Sequence, residues 1–110
     1  MKDIVEFFSL KKIIFKSLNQ IDNSLLKTRK KILVYSGTDV GKNYHALFIL
    51  NQKSRFLLKN AQNLETLYGE LQKLENHNFK YKHLLIGKNI CSKSIHYLEN
   101  LGWKIYYDFV

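Results

Sequence analysis

The sequence predicts one α/β domain, and three observations support that prediction. Apolar residues recur at helical spacing in some segments, while other segments are short runs rich in β-branched and aromatic residues. The 110 residues are enough to bury one core, and no internal repeat or change of composition divides them. With 45% hydrophobic and 14% aromatic residues, the composition is that of a folded domain. Residues 1–110 are therefore expected to form a single domain.

The first half is predicted to form one helix followed by three strands. Residues 4–27 carry apolar side chains at steps of three and four, which is typical of a helix with one buried face. These side chains are Phe7, Leu10, Ile14, Leu18, Ile21 and Leu25. The three strands are predicted at 32–35, 44–50 and 54–59. A turn at Ser36 and Gly37 follows the first strand, and residues 51–53 join the other two as a tight hairpin.

The second half is predicted to alternate helices with strands. N-cap candidates at 60–63 precede a helix whose apolar face is Leu64, Leu67, Leu71 and Leu74. Within it, Gly69 suggests close packing against a neighbour. The elements that follow are a strand at 83–87, a helix from Ser92 to Asn100, a left-handed Gly102 and a strand at 103–109. The predicted order is α-β-β-β-α-β-α-β, a mixed sheet in which an antiparallel meander leads into parallel strands, with helices packed on it.

The charge of the chain indicates a polyanionic partner. Lysine and arginine number 18 against nine aspartate and glutamate, which gives a net charge of +9 and a pI near 9.7. Such a surface attracts nucleic acid through counterion release, although basic residues also serve solubility. The predicted contacts are the basic residues at strand ends and turns: Lys27, Arg29, Lys30, Lys31, Lys42, Lys53, Arg55 and Lys59. Aromatic residues alternate with lysines at 79–82, a pattern that fits either base stacking or a core strand.

Several classes of protein are disfavoured by the sequence. Cys91 is the only cysteine, which excludes an internal disulfide and disfavours a thiol zinc site, and it is expected to be inert. Asp3 and Glu6 lie where a signal peptide needs positive charge, and no apolar run is long enough for a membrane span. A cytoplasmic protein is therefore expected.

Two motifs come close to known sites without completing them. Residues 36–43 resemble a phosphate-binding P-loop, but Asn43 stands where the loop needs serine or threonine, and a strand is predicted to follow. The four histidines have no metal-binding spacing, so we expect exposed loop histidines, although His77 and His83 flank a strand and could approach each other. No metal or cofactor is predicted from these residues.

The predicted element order resembles the PD-(D/E)-x-K superfamily, the restriction-endonuclease-like fold. The segments 84–87, 91–102 and 103–105 are similar to the strand, helix and strand that close its Mrr-type members. The resemblance implies a divalent metal held by two carboxylates, with a lysine that assists hydrolysis of the phosphodiester. Lys59 would match that lysine, but Leu57 stands at the position of one acid. The other acids would fall at His45 or Asp39 and at Glu6.

Three hypotheses follow. The first is a non-catalytic nucleic-acid-binding domain on a nuclease-like frame, with DNA favoured over RNA as the partner. The second is a nuclease dependent on a divalent metal, with migrated ligands and with Glu6, Asp39 and Lys59 as catalytic candidates. The third is a protein-interaction module that binds a protein partner or a second copy of itself through the long N-terminal helix, which would then expose apolar side chains.

Overall fold

The computed structural model describes residues 3–26, 32–51, 54–87 and 89–107. Its elements are α1 (Ile4–Leu10), β1 (Phe15–Ile21), a short 3₁₀ helix (Asn23–Leu26), β2 (Leu33–Asp39), β3 (Tyr44–Leu50), α2 (Leu58–Glu75), β4 (Tyr81–Ile86), α3 (Ser92–Asn100) and β5 (Trp103–Tyr106). The predicted order of helices and strands is thus confirmed. In these described segments, no helix is both long enough and apolar enough to cross a bilayer.

The five strands form one mixed sheet in the order β1-β2-β3-β4-β5. The first two pairs, β1 with β2 and β2 with β3, are antiparallel. The pairs β3 with β4 and β4 with β5 are parallel, because α2 and α3 carry the chain back across the sheet between them. The predicted meander followed by parallel strands is therefore correct.

Helices cover both faces of the sheet and make a three-layer structure. Phe7 and Phe8 of α1 pack against Leu47, Ile49 and Leu85 on one face. The other face holds the larger cluster, formed with α2 and α3, which includes Val34, Ala46, Phe48, Ala61, Leu64, Leu71, Leu84 and Leu98. Because alternate residues of a strand point to opposite faces, odd-numbered positions of β3 and β4 face α1 and even-numbered ones face α2 and α3.

The predicted helix at 4–27 is wrong. The α1 helix ends at Leu10, Lys12 takes a left-handed conformation with φ 67°, and Phe15–Ile21 is an edge strand paired with β2. The register shifts between Phe15 and Ser17, which marks a bulge or a similar irregularity. Half-buried residues in β1 recur at every third position and imitate a helix. The irregularity puts Phe15 and Leu18 on the same face, and Ile21 packs against the cluster on the other face. The third hypothesis therefore loses the long helix on which it depended.

The predicted strand at 54–59 is also wrong. Its one bridge joins Phe56 to Ile90, and α2 begins at Leu58, so that Lys59 lies in the first turn of a helix. The N-terminus of α2 is capped by Asn60, whose Oδ1 accepts the Leu57 N–H at 2.9 Å. Asn60, one of the predicted N-cap candidates, thus lies three residues after the observed N-cap residue, Leu57, and its side chain reaches back to that residue's backbone.

The first predicted strand, at 32–35, is longer than expected, and the turn predicted at Ser36 and Gly37 is wrong. β2 continues through Ser36 and Gly37 to Asp39, and the turn to β3 comes at 40–43. Gly37 is required there by packing, since a Cβ atom would lie 2.9 Å from carbons of both Phe15 and Leu18. As predicted, a strand and not a helix follows residues 36–43, so the P-loop geometry is absent from this segment.

The other observed element boundaries differ from the predicted ones by a few residues. The N-cap of α3 is Cys91, whose Sγ accepts the Ser94 N–H, rather than Ser92. Gly102 has the predicted positive φ, at 90°. Gly69 has nothing within 4 Å of the position of a Cβ atom, so the predicted close packing at this glycine is wrong.

Candidate functional site

Four polar side chains form a continuous hydrogen-bonded chain on the α1 face of the sheet. Asp39 Oδ2 lies 2.8 Å from His45 Nε2. His45 Nδ1 lies 2.8 Å from His83 Nε2. His83 Nδ1 lies 3.0 Å from the hydroxyl of Tyr106. We call Asp39, His45, His83 and Tyr106 the relay.

The strands place the relay at one end of the sheet. Asp39 is the last residue of β2, and His45 is the second residue of β3. His83 is the third residue of β4, which runs parallel to β3. We call this the site end of the sheet; β2 ends here, and β3 and β4 begin here. Since positions two apart on a strand share a face, Asp39, His45 and His83 all point toward the α1 layer.

Burial and aromatic packing fix both imidazole rings. His45 and His83 are each 1% exposed. Phe15 packs edge-on against His45, and Phe8 does the same against His83, with centroid distances of 5.1 and 5.0 Å. Tyr81 stacks on His45 at 4.7 Å. The described residues leave no buried side-chain nitrogen or oxygen without a hydrogen-bond partner, so this polar chain is satisfied within the core.

Burial and hydrogen bonding determine the protonation states of His83 and Asp39. Burial, with smaller contributions from His45 and Lys104, lowers the pKa of His83 to about 3, so its ring is neutral at physiological pH. The hydrogen bond from His45, against the opposing effect of burial, is the main cause that lowers the pKa of Asp39 to about 2. Asp39 is therefore a carboxylate, which can only accept, and His45 Nε2–H donates to it.

The relay has two consistent settings that differ in the positions of its protons. When both rings are neutral, the Tyr106 hydroxyl donates to His83 Nδ1, and His83 Nε2–H donates to His45 Nδ1. When His45 is an imidazolium, its Nδ1–H donates to His83 Nε2, and His83 Nδ1–H faces the Tyr106 oxygen. A proton removed at Tyr106 can thus be stored beside the Asp39 carboxylate.

A cavity of about 480 Å³ opens over the relay. Its walls combine the relay with Tyr81, three apolar side chains and three lysines: Ile13, Ile14, Val40, Lys11, Lys12 and Lys104. Lys11 also lies over the Phe7 ring, with its Nζ 5.2 Å from the centroid. Among the described lining residues, three lysines stand against one carboxylate, so the opening has a positive potential.

Aromatic side chains are exposed at the same end of the sheet. Tyr44 is 44% exposed and stacks on His77 at 4.2 Å. Tyr81 is 37% exposed, and Lys80 Nζ lies 5.4 Å from its ring centroid. We call Tyr44, His77, Lys80 and Tyr81 the aromatic edge. The two interpretations of residues 79–82 thus apply to different residues. Lys80 and Tyr81 are exposed and available for base stacking, whereas Phe79 is buried in the core.

The three catalytic candidates lie on different elements. Glu6 is on α1 and Lys59 is in the first turn of α2, and these two helices cover opposite faces of the sheet. Asp39 accepts hydrogen bonds from Asn43 and His45. In the segments that the structure describes, no group of three or more histidine, cysteine or acidic side chains could hold a metal ion.

The third strand of the meander is β3, so the predicted match of Lys59 and Leu57 to the D/E-x-K motif rests on the wrong element. β3 reads Tyr-His-Ala-Leu-Phe-Ile-Leu and contains neither an acid nor a lysine. β2 contains one acid, Asp39. The match of His45 or Asp39 to an acid of the family took 44–50 as the second strand, so it shifts as well; in the structure Asp39 ends β2 and pairs with His45 near the start of β3.

The predicted nucleic-acid contacts are distributed over both ends of the sheet. Lys42 is exposed in the turn beside the relay. Arg55 and Lys59 are exposed but follow β3 at its other end. Five predicted contacts lie outside the described residues: Lys27, Arg29, Lys30, Lys31 and Lys53.

The histidine pair is the feature that the sequence prediction missed. The sequence allowed an approach of His77 to His83; in the structure His77 stacks on Tyr44, and His83 bonds to His45. The prediction of exposed loop histidines fails for His45 and His83, which are buried in neighbouring strands. Both histidines lie in segments whose sequence favours strands, and the two-residue alternation of side chains along a strand could have placed both rings on a buried face.

Known proteins resemble this chain in structure. No protein-family model and no curated protein matches the sequence. EndoMS in its apo form superposes with a TM-score of 0.55 at 15% identity over 97% of this chain. A repair endonuclease from Pyrococcus abyssi gives 0.53 at 14% identity over 97%. The chain has the restriction-endonuclease-like fold.

The predicted resemblance to this superfamily is thereby confirmed for the fold. A further similar structure, EndoMS in complex with dsDNA, gives a TM-score of 0.52 at 16% identity over 84% of this chain. The chain spans less than half of each of these proteins: 47% of apo EndoMS, 47% of the Pyrococcus enzyme and 36% of EndoMS in the complex.

Proposed function

We propose that this domain binds nucleic acid, DNA in the first place, at the site end of its sheet. We also propose that it does not carry out the metal-dependent hydrolysis of the nuclease frame. The observation that carries the proposal is the convergence of a lysine-lined cavity and exposed aromatic rings at that end. Lysines attract the phosphate backbone, and exposed rings accept bases by stacking.

The charge distribution supports this location. Lys11, Lys12 and Lys104 line the cavity, and Lys42 and Lys80 lie at the adjoining turn and edge. Among the described residues that line the cavity, these three lysines stand against one carboxylate, that of Asp39, so positive charge is in excess. Released counterions would supply most of the affinity, which makes binding dependent on salt.

The comparison with EndoMS favours DNA as the ligand. One of the similar structures is EndoMS in complex with dsDNA, on a frame that this chain matches over 84% of its length. A domain with this fold and a net charge of +9 is suited to the same class of ligand.

The composition of β2 and β3 supports the non-catalytic part of the proposal. The two strands hold one acid between them, and that acid is bonded to His45. A metal that activates water for phosphodiester hydrolysis needs several oxygen ligands. A polarisation assay and a cleavage assay with added Mg²⁺ or Mn²⁺ therefore test separate halves of the proposal.

The binding experiment is a fluorescence polarisation titration with labelled single-stranded and duplex DNA and RNA at about 50 mM salt. We expect a Kd of roughly 10⁻⁴ to 10⁻⁶ M. The double variant Lys12→Gln/Lys104→Gln should weaken binding about tenfold and reduce the salt slope by nearly two. The control is Lys73→Gln/Lys93→Gln, which removes the same charge from exposed positions on α2 and α3.

The titration has outcomes that reject the proposal. Absence of binding to every probe at low salt rejects the function. If the two double variants weaken binding equally, affinity depends on the net charge of the domain and not on the lysines of the cavity. The single variants Lys42→Gln and Lys59→Gln test two of the contacts predicted from the sequence, and we expect the larger effect from Lys42, which adjoins the cavity. Cleavage that depends on added metal would reject the non-catalytic half.

A further inference from the structure

We infer that Tyr106 is a nucleophile that attacks a phosphodiester in the cavity and forms a covalent phosphotyrosyl bond without a metal ion. The inference goes beyond binding, and its substrate class rests on the proposed function. The observation behind it is the relay, which connects the Tyr106 hydroxyl through His83 and His45 to Asp39 in three hydrogen bonds of 2.8 to 3.0 Å.

The relay gives the tyrosine proton a destination. As the Tyr106 oxygen approaches phosphorus, its proton passes to His83 Nδ1, while His83 Nε2–H passes to His45 Nδ1. His83 is a poor final acceptor, because it is buried and its cation would face Lys104. His45 is a good one, since the imidazolium formed there lies 2.8 Å from the Asp39 carboxylate.

The cavity supplies the electrostatic part of the reaction. Tyr106 lines it together with Lys11, Lys12 and Lys104. Ammonium groups can hold the non-bridging phosphate oxygens and stabilise the negative charge that grows on them during attack. The half-buried ring of Tyr106 is held edge-on by Phe7 and Phe8 at 5.7 and 5.4 Å, which keeps its hydroxyl on His83.

The step balances without an oxidant or a metal. A bond forms between the Tyr106 oxygen and phosphorus, and the bond from phosphorus to one sugar oxygen breaks. The leaving sugar oxygen takes a proton from water at the mouth of the cavity, and the relay returns its stored proton to the same solvent. One hydroxyl is consumed and one is formed, so attack by a sugar hydroxyl on the phosphotyrosine reverses the reaction.

The test is covalent trapping. Wild-type protein is incubated with DNA labelled at the 5′ end or at the 3′ end, in EDTA, and quenched with detergent. We expect an adduct on a denaturing gel with one of the two labels, and a modified peptide that contains Tyr106 by mass spectrometry. Tyr106→Phe, which keeps the ring, should lose the adduct, and His83→Gln should slow its formation about 100-fold.

The matched control is Tyr107→Phe, which removes a hydroxyl from the adjacent residue, whose ring packs with the α2 and α3 cluster. Its adduct should equal that of the wild type. An adduct that persists in Tyr106→Phe overturns the inference. DNA binding by polarisation without any adduct overturns the inference and leaves the proposed function standing. Absence of both binding and adduct overturns the two together.

Discussion

Burial keeps His83 neutral, and the folded protein should therefore lose stability as the pH falls from about 7 to about 5. The pKa of His83 is about 3 in the folded chain, against an ordinary value of 6.5. Between these values the unfolded chain binds a proton that the folded chain does not. The contribution of His83 is complete above pH 6.5 and decreases as the pH falls toward 3.

The size of the effect follows from the two pKa values. At about pH 5 an unfolded histidine is almost fully protonated, and at about pH 7 it is mostly neutral, so linkage gives a loss of about 2 kcal/mol. Asp39 adds nothing in this range, because its pKa is lowered from 3.8 to about 2. The stabilisation that Asp39 provides is present above 3.8 and is lost only in stronger acid.

Urea unfolding monitored by fluorescence measures this loss. Trp103 is the only tryptophan and is 3% exposed, so its emission reports global unfolding. The free energy of unfolding should be about 2 kcal/mol lower at pH 5 than at pH 7 in the wild type because of His83. His83→Gln keeps a polar side chain that cannot titrate. Between the same two pH values, the free energy of unfolding of this variant should therefore fall by about 2 kcal/mol less than that of the wild type.

A histidine on the surface supplies the control. His96 is exposed on α3, and His96→Gln should leave the pH dependence of unfolding close to that of the wild type. If the wild type and His83→Gln lose the same free energy between the two pH values, His83 is not held neutral by burial. The directional hydrogen bonding inferred for the relay would then be wrong as well.

Three other substitutions test the packing. Gly69→Ala should stabilise the protein by about 0.5 to 1 kcal/mol in urea unfolding, because the new methyl group meets open space within α2. Gly37→Ala should destabilise it by about 1 to 3 kcal/mol in the same assay, because the Cβ atom would lie 2.9 Å from side chains of β1. Glu65→Ala removes the acceptor of the Trp103 Nε1–H, a bond of 2.7 Å, and should cost about 1 to 3 kcal/mol with a change in Trp103 emission.

Much of the fold could be predicted from periodicity where segments are long or fully buried. The apolar repeat of α2 and the continuous run of β3 gave elements close to the observed Leu58–Glu75 and Tyr44–Leu50. The edge strand β1 could not be recognised, because one face and one edge are solvated and its register shifts at Phe15. Its spacing of apolar residues then matches a helix.

Two errors compensated each other and left the element order correct. The sequence predicts the meander one strand too late, because its pattern favours a helix over the residues of β1 and a strand at 54–59. Lys59 was therefore matched to a strand that does not exist, and Asp39 was placed outside the strand that it ends. The fold class survives this shift because it depends on the order of elements. The site does not, because it depends on which residue is adjacent to which.

The relay could not be predicted because it joins strands that are neighbours in the sheet but far apart in the sequence. His45 and His83 are 38 residues apart, and their hydrogen bond requires that β3 and β4 be neighbours in parallel. Alternation fixes the face of each ring, but strand order, which comes from the fold, fixes their adjacency.

The position of the histidines argues that they serve more than packing. On the same face of the same strands, the next positions are Leu47 and Leu85, which are fully buried and apolar. Apolar side chains at 45 and 83 would avoid the cost of burying polar rings, so packing alone gives no reason for histidine there. The polar pair occurs only at the site end, under the cavity that the lysines line. Polarity is thus concentrated where a ligand can reach it, which is the arrangement that both proposals require.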